Sequence, residues 1–324
     1  MKSGYSKCFF TRKEYGDICS IFKIGALEGI FCYAAQGYES SKVFVKTDKG
    51  KFVISSYKIR DTPRPKPYNL IMQEIRLIRL LDDLPVPRYI SSGNKYVVCY
   101  KKTNVTVYRY IEGCMPKRLN DSRVYQLGKF LGKFHRLGKK FKDRLDGRRK
   151  FYDLNDSVMD KMDVYSRKQT NLLLKRNFER IREGVKNNRL PNGLGLARGP
   201  IHVDLKPMNE LFIKDRLSGI LDFGIFYRDH PLSDIGKTIM WNCSRNGKID
   251  KNLLKNFLKG YEEERILPKK EKELLKQATL FAIYAHIYVD YYHVPLHIVP
   301  ESYTVGLVKE FLPIADDLEN RMSI

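Results

Sequence analysis

Ile201-His202-Val203-Asp204-Leu205-Lys206-Pro207-Met208-Asn209, followed by Ile220-Leu221-Asp222-Phe223-Gly224, decides the reading of this chain. A His-x-Asp with Asn five residues after the aspartate, then an apolar run ending in Asp-Phe-Gly, supplies what phosphoryl transfer requires. One carboxylate addresses an acceptor hydroxyl; an amide oxygen and a second carboxylate bind a metal. None of these residues is informative alone. The competing reading takes Asp204 and Asn209 as loop polar residues and Asp222 as a strand-end cap, and it leaves their order, spacing and apolar flanks unexplained.

The segments around this stretch fall into two kinds. From Ile30 to Arg60 the apolar pattern alternates, and Asp48-Lys49-Gly50 sits between Val43-Phe44-Val45 and Phe52-Val53-Ile54 as a hairpin turn does. After Pro63, Pro65 and Pro67, residues Tyr68 to Asp82 carry Leu70, Ile71, Glu74, Ile75, Ile78 and Leu81 at helical spacing, and Leu84-Pro85-Val86-Pro87 stops the helix. Strands are expected over Lys95–Lys101 and Thr106–Tyr110, then a break at Glu112-Gly113. From Asn120 the character changes to long amphipathic stretches. Helices are expected over Val124–Leu137, 156–187, Leu232–Cys243, Lys251–Glu264, Lys270–Tyr292 and Val305–Asn320. The expected division is a strand-rich domain over 1–110 and a mostly helical domain over 111–324.

Bulk composition sets the surroundings. The chain has 324 residues, long enough for two domains, and its 43% hydrophobic and 12% aromatic content belongs to a folded protein. Cysteines at 8, 19, 32, 99, 114 and 243 show neither a Cys-x-x-Cys pair nor matching histidine spacing, so neither zinc nor a disulfide framework is expected. The amino terminus has no secretory pattern, and a cytoplasmic location is expected. The apolar tract Thr279–Val299 is interrupted by His286, Asp290 and His293, which suits a buried helix and not a membrane span. The net charge of +23 attracts anions in general. Its basic residues lack the interleaved aromatics of a single-strand binder, so nucleic acid is not an expected partner. Oligomeric state stays open.

A strand-rich domain, a hinge near Tyr110-Ile111-Glu112-Gly113 and a helical domain carrying the motif together resemble the aminoglycoside and choline phosphotransferase superfamily, which shares the protein-kinase fold. Within it the chain is most similar to phosphotransferase-type homoserine kinases. That likeness rests on Gly37-Tyr38-Glu39-Ser40-Ser41-Lys42-Val43-Phe44-Val45, Leu84-Pro85-Val86-Pro87-Arg88 and Asp215-Arg216-Leu217-Ser218-Gly219-Ile220-Leu221-Asp222-Phe223. The implied fold is α+β and two-lobed, with a small antiparallel sheet and a larger helical lobe. The implied activity is ATP- and Mg²⁺-dependent phosphorylation of a hydroxyl on a small metabolite, with a homoserine-like amino alcohol favoured.

Residue roles follow from chemistry and resemblance together. Asp204 is the candidate base, and Lys206 the cation that offsets charge on the transferring phosphoryl group. Asn209 and Asp222 are candidate Mg²⁺ ligands. His202 reads as a loop anchor. The resemblance implies a strand lysine paired with a helix glutamate on the nucleotide phosphates. Glu74 fits the second role, but Ser55 occupies the lysine slot, leaving Lys58, or else Lys46, as substitute. Ser40 and Ser41 are expected to cover the phosphates, and Tyr110 and Ile111 to lie against the adenine. Asp234 resembles the superfamily's aspartate that braces the catalytic loop, and reads equally as a helix N-terminal acid. Lys237, Trp241, Asn242 and Asp290 are candidates for facing the acceptor, Trp241 also fitting a core position. Alternatives are an aminoglycoside or choline acceptor, a protein serine/threonine kinase suggested by Asp204-Leu205-Lys206-Pro207, and a non-catalytic kinase-fold binding protein. Against the protein kinase, Val203 stands where an arginine is expected, and neither a Gly-x-Gly-x-x-Gly loop nor Ala-Pro-Glu is present.

Overall fold

The structure, a computed structural model, describes residues 9–32, 40–57, 66–145, 148–150, 152–190 and 195–321. It divides into two compact units, Met1–Gly113 with Ser218–Gly224, and Cys114–Leu217 with Ile225–Ile324.

The first unit is built on an antiparallel sheet. Helix α1 (Arg12–Ile21) precedes strands β1 (Leu27–Cys32), β2 (Ser41–Thr47) and β3 (Gly50–Ser56); helix α2 (Tyr68–Leu80) leads to β4 (Tyr89–Ile90), β5 (Val98–Tyr100) and β6 (Thr103–Arg109). The sheet order is β1-β2-β3-β6-β4, with β5 also paired to β6. The turn at Asp48-Lys49 is two residues long, with Thr47 opposite Gly50, so counting outward sets every later pair, including Lys42 opposite Ser55. Val43, Val45, Phe52, Ile54, Val105 and Val107 share a core with Tyr15, Ile18 and Phe22, so α1 covers one face of the sheet. That helix was not expected from the apolar pattern. It is held at its start by a capping box in which Thr11 and Glu14 satisfy each other's backbone N–H groups. The opposite face carries Lys42, Phe44, Val53 and Ser55, because side chains alternate along a strand. The Ile220 N–H donates to the Pro85 carbonyl at 2.8 Å. Residues 218–224, expected with the helical domain, make their contacts in the first unit.

The second unit is mostly helical. Its elements are α3 (Asp121–Gly138), α4 (Asp156–Ser166), α5 (Leu172–Asn188), β7 (Gly199–Ile201), a 3₁₀ turn (Pro207–Asn209), β8 (Glu210–Ile213) and β9 (Arg216–Ile220), whose end lies in the first unit. There follow β10 (Tyr227–Asp229), α6 (Pro231–Asn242), β11 (Ser244–Arg245), β12 (Lys248–Ile249), α7 (Lys251–Glu262), α8 (Lys269–Glu273), α9 (Leu275–His293) and α10 (Glu301–Glu319). The helical region expected over 156–187 is broken in two. Asn171 caps α5 by accepting from the Leu173 N–H, and the Gln169 amide donates to the Ser166 and Tyr291 carbonyls where the first helix ends. Helix α9 is buried along nearly its whole length. Among the described residues no helix is long and apolar enough to cross a membrane.

Candidate active site

The catalytic-loop motif runs from β7 into the 3₁₀ turn, where Pro207 pre-sets the first position. Val203 holds φ +78°, a left-handed conformation costly for a β-branched residue, and such strain persists only where neighbours impose it. Asp234 imposes it. From the first turn of α6 its two carboxylate oxygens accept the His202 N–H at 2.6 Å and the Val203 N–H at 2.8 Å, and His135 Nε2 lies at 3.2 Å. Burial alone would push the Asp234 carboxyl up; the His135 hydrogen bond, the nearby imidazoles and the His202 N–H outweigh it and hold the carboxyl below its ordinary range. Burial lowers the His135 pKa against the pull of Asp234, and its other nitrogen lies 2.8 Å from the Tyr261 hydroxyl. Asp234 is therefore a brace under the loop. His202 is fully buried, and its Nδ1 accepts the Asp204 N–H at 3.3 Å, as an anchor does.

Asp204 sits at the centre of this loop. Its Oδ1 lies 2.9 Å from the Lys206 ammonium, and its Oδ2 accepts from Asn209 Nδ2 at 3.0 Å. Asn209 Nδ2 also donates to the Asp204 carbonyl at 2.8 Å. The amide nitrogen being committed twice, the Asn209 amide oxygen is the atom left for a metal, and it is the hard oxygen donor that Mg²⁺ prefers. Asp222, in the first unit, offers a half-exposed carboxylate at a residue with φ +64°. Among the described residues no group of three or more His, Cys, Asp and Glu side chains forms a metal cage.

Behind the loop lies a polar cluster that the sequence reading only partly named. Lys237 Nζ donates to the Tyr152 hydroxyl at 2.8 Å and to His286 Nδ1 at 2.7 Å. Burial lowers the Lys237 pKa to about 7, with the Asp204 charge opposing the shift and Lys206 adding to it. Burial likewise lowers His286 well below its ordinary value, so its Nδ1 accepts and its proton sits on Nε2. Among the described residues, His286 Nε2, Trp241 Nε1 and Asp290 Oδ2 are buried with no hydrogen-bond partner. The Trp241 ring packs edge-on against His286 at 5.4 Å, with the Lys206 ammonium 5.9 Å from its centre. Trp241 is thus part of the wall around the loop as well as packing on Phe311. Asn242 turns away to a different partner, donating to Glu210 Oε1 at 2.8 Å, and burial raises the Glu210 carboxyl to about 8. Tyr152 and His286 were missed as site residues; the one signal was His286 and Asp290 at i, i+4 within an otherwise apolar helix.

In the first unit Glu74 has a lysine partner that the sequence reading did not name. Lys58 lies outside the described residues. Lys46 is half-exposed and pairs with Glu28 at 2.8 Å, away from Glu74. Glu74 is buried and paired with Lys66 at 3.0 Å, and it accepts from the Tyr89 hydroxyl at 2.9 Å. Lys66 also donates to the Gly224 carbonyl at 3.0 Å. Lys42 stands 3.6 Å from Asp222. Ser40 is buried, and Ser41 opens β2 opposite Ser56. The Tyr110 N–H donates to the Lys51 carbonyl at 3.0 Å, its ring packs on Phe44 at 4.9 Å, and Ile111 beside it is half-buried.

A base-like carboxylate flanked by a lysine and an asparagine, with its loop strained over a buried aspartate, is an arrangement able to orient a hydroxyl toward a phosphoryl group. A homoserine kinase of Rhodopseudomonas palustris (strain BisB18) is 25% identical over 248 residues, spanning 74% of this chain and 72% of that protein. A microcompartment-associated aminopropanol kinase superimposes with a TM-score of 0.69 at 12% identity, covering 95% of this chain and 99% of that one. An amicoumacin kinase in complex with AMP-PNP, Ca²⁺ and Ami superimposes with a TM-score of 0.67 at 16% identity, covering 97% and 95%. The family model described as the phosphotransferase enzyme family matches residues 32–273, and the chain belongs to that family.

Proposed function

We propose that the protein transfers the γ-phosphoryl group of Mg·ATP to the hydroxyl of a small zwitterionic amino alcohol, homoserine or a close analogue. Asp204 orients the acceptor hydroxyl and takes its proton as the new P–O bond forms. Lys206 offsets charge on the transferring group, and Asn209 and Asp222 are the protein's ligands to Mg²⁺, which neutralises the phosphates. The observation that carries the substrate class is the set of unpartnered buried atoms behind Asp204. Two N–H donors, His286 Nε2 and Trp241 Nε1, stand with the Lys237 amine and suit a carboxylate; one acceptor, Asp290 Oδ2, suits an ammonium. Buried polar atoms without partners are costly, and a ligand bearing both charges satisfies them at once. A polycationic aminoglycoside would meet Lys206 and Lys237 in the same cluster, which disfavours it. Relatives named as homoserine kinases support the same reading.

The test is Mg²⁺-dependent ATP consumption with homoserine, choline, aminopropanol and an aminoglycoside as acceptors, with Asp204→Ala as the control. Turnover with homoserine that falls by about three orders of magnitude or more in the variant is the expected result, in keeping with the loss of an oriented base. Equal turnover by variant and parent would refute the role of Asp204, and turnover with the aminoglycoside alone would refute the acceptor class.

A further inference from the structure

We infer that the lysine holding the nucleotide phosphates is Lys42, displaced from β3 to the neighbouring strand β2, and that the glutamate-pairing role has passed separately to Lys66. The inference rests on the ATP reading above and concerns residues of the first unit alone. Its foundation is register. Lys42 and Ser55 are direct partners across the β2–β3 ladder, and directly opposed residues project from the same face with Cβ atoms about 5 Å apart. A lysine stem spans that offset, so the Lys42 ammonium reaches the space that a lysine at 55 would serve. Ser55, 1% exposed, carries no charge with which to serve that space itself.

Charge agrees with register. The Lys42 ammonium is 3.6 Å from the Asp222 carboxylate, longer than a hydrogen-bonded ion pair. Among the described residues this ion pair, to the carboxylate proposed as a metal ligand, is a loose one, and a phosphate oxygen can compete for the Lys42 ammonium. Lys66 is placed differently. Its side chain is 6% exposed and its ammonium is committed to Glu74 and to the Gly224 carbonyl, each at 3.0 Å. Buried and doubly bonded, Lys66 fastens helix α2 to the segment that carries Asp222. One lysine tethers the glutamate and another meets the phosphates.

The test reads nucleotide binding directly, by calorimetric titration with Mg·ATP and no acceptor, for the parent, Lys42→Ala and the double variant Lys42→Ala with Ser55→Lys. Thermal melting without nucleotide establishes that each is folded. Lys42→Ala should melt near the parent and bind Mg·ATP about 10- to 100-fold more weakly, the range for losing a hydrogen bond between charged groups. The double variant should recover most of that loss, because its lysine rises one strand away toward the same point. Parent-like binding by Lys42→Ala overturns the assignment, as does a folded double variant no tighter than the single one. A parent that binds no Mg·ATP would overturn the nucleotide reading and this assignment with it, which separates the two failures.

Discussion

Lys237 is a cation that its surroundings discourage from being charged, and this gives the proposed acceptor site a proton of its own to trade. With its pKa lowered to about 7 by burial, Lys237 is mostly neutral at pH 8. A bound carboxylate would favour the charged form, so homoserine binding at pH 8 should take up as much as one proton. At pH 6 the amine is already protonated and the uptake should vanish. Calorimetric titration in two buffers of different ionisation enthalpy measures this, and Lys237→Met should abolish it. Uptake unchanged in the variant would remove Lys237 from carboxylate binding. Stability follows the same sign: the unfolded chain holds this proton up to its ordinary pKa of 10.5, so between about pH 7 and 10.5 the unfolded state binds more protons, and this group's contribution to stability rises with pH. At this scale the sequence was legible where short spacing brings residues together, as with Asp204, Lys206 and Asn209. It was illegible where partners meet across long separations, as with Lys237, Tyr152 and His286. Lys42 lies between these cases, since the two-residue turn at Asp48-Lys49 already implies that residue 42 faces residue 55.

Helices α3 and α7 meet closely enough that their glycines become structural requirements. A Cβ added at Gly128 would lie 2.0 Å from the Phe257 carbonyl oxygen, and one at Gly260 would lie 2.1 Å from the Tyr125 carbonyl oxygen. Both contacts are with backbone, which a rotamer change cannot relieve. Gly128→Ala should therefore cost about 1–3 kcal/mol or more in chemical denaturation, despite the higher helix propensity of alanine. A variant as stable as the parent would mean that the helices separate without penalty. The same helix pair supports catalysis at one remove, because His135 on α3 and Tyr261 on α7 form the hydrogen-bonded chain that ends on Asp234. Long helices such as α3 and α7 were readable from apolar spacing. Helix α1 was not, since its buried face holds only Tyr15, Ile18 and Cys19, although Thr11-Arg12-Lys13-Glu14 spells the capping box that opens it. The division of 156–188 into two helices escaped because apolar spacing continues through the break, and only Asn171 and Gln169 mark it by hydrogen bonding.

Over the whole molecule the +23 charge would act unequally on the two proposed substrates, Mg·ATP and a zwitterionic amino alcohol. Mg·ATP carries net negative charge and is drawn by the summed field, whereas a zwitterionic acceptor has no net charge and feels only local groups. Screening shortens that field to about 8 Å at physiological ionic strength, and further at higher salt. Raising sodium chloride from roughly 20 to 300 mM should accordingly lower kcat/KM for ATP several-fold. The same change should leave kcat/KM for the acceptor, measured at saturating ATP, nearly constant. Steady-state kinetics at several salt concentrations, with each substrate varied in turn, reads both slopes. Equal salt dependence for the two substrates would mean that the acceptor also carries net charge, contradicting the zwitterion. No dependence for either would mean that the basic residues present no net field to the nucleotide, and that the excess of lysine and arginine serves another surface of the protein.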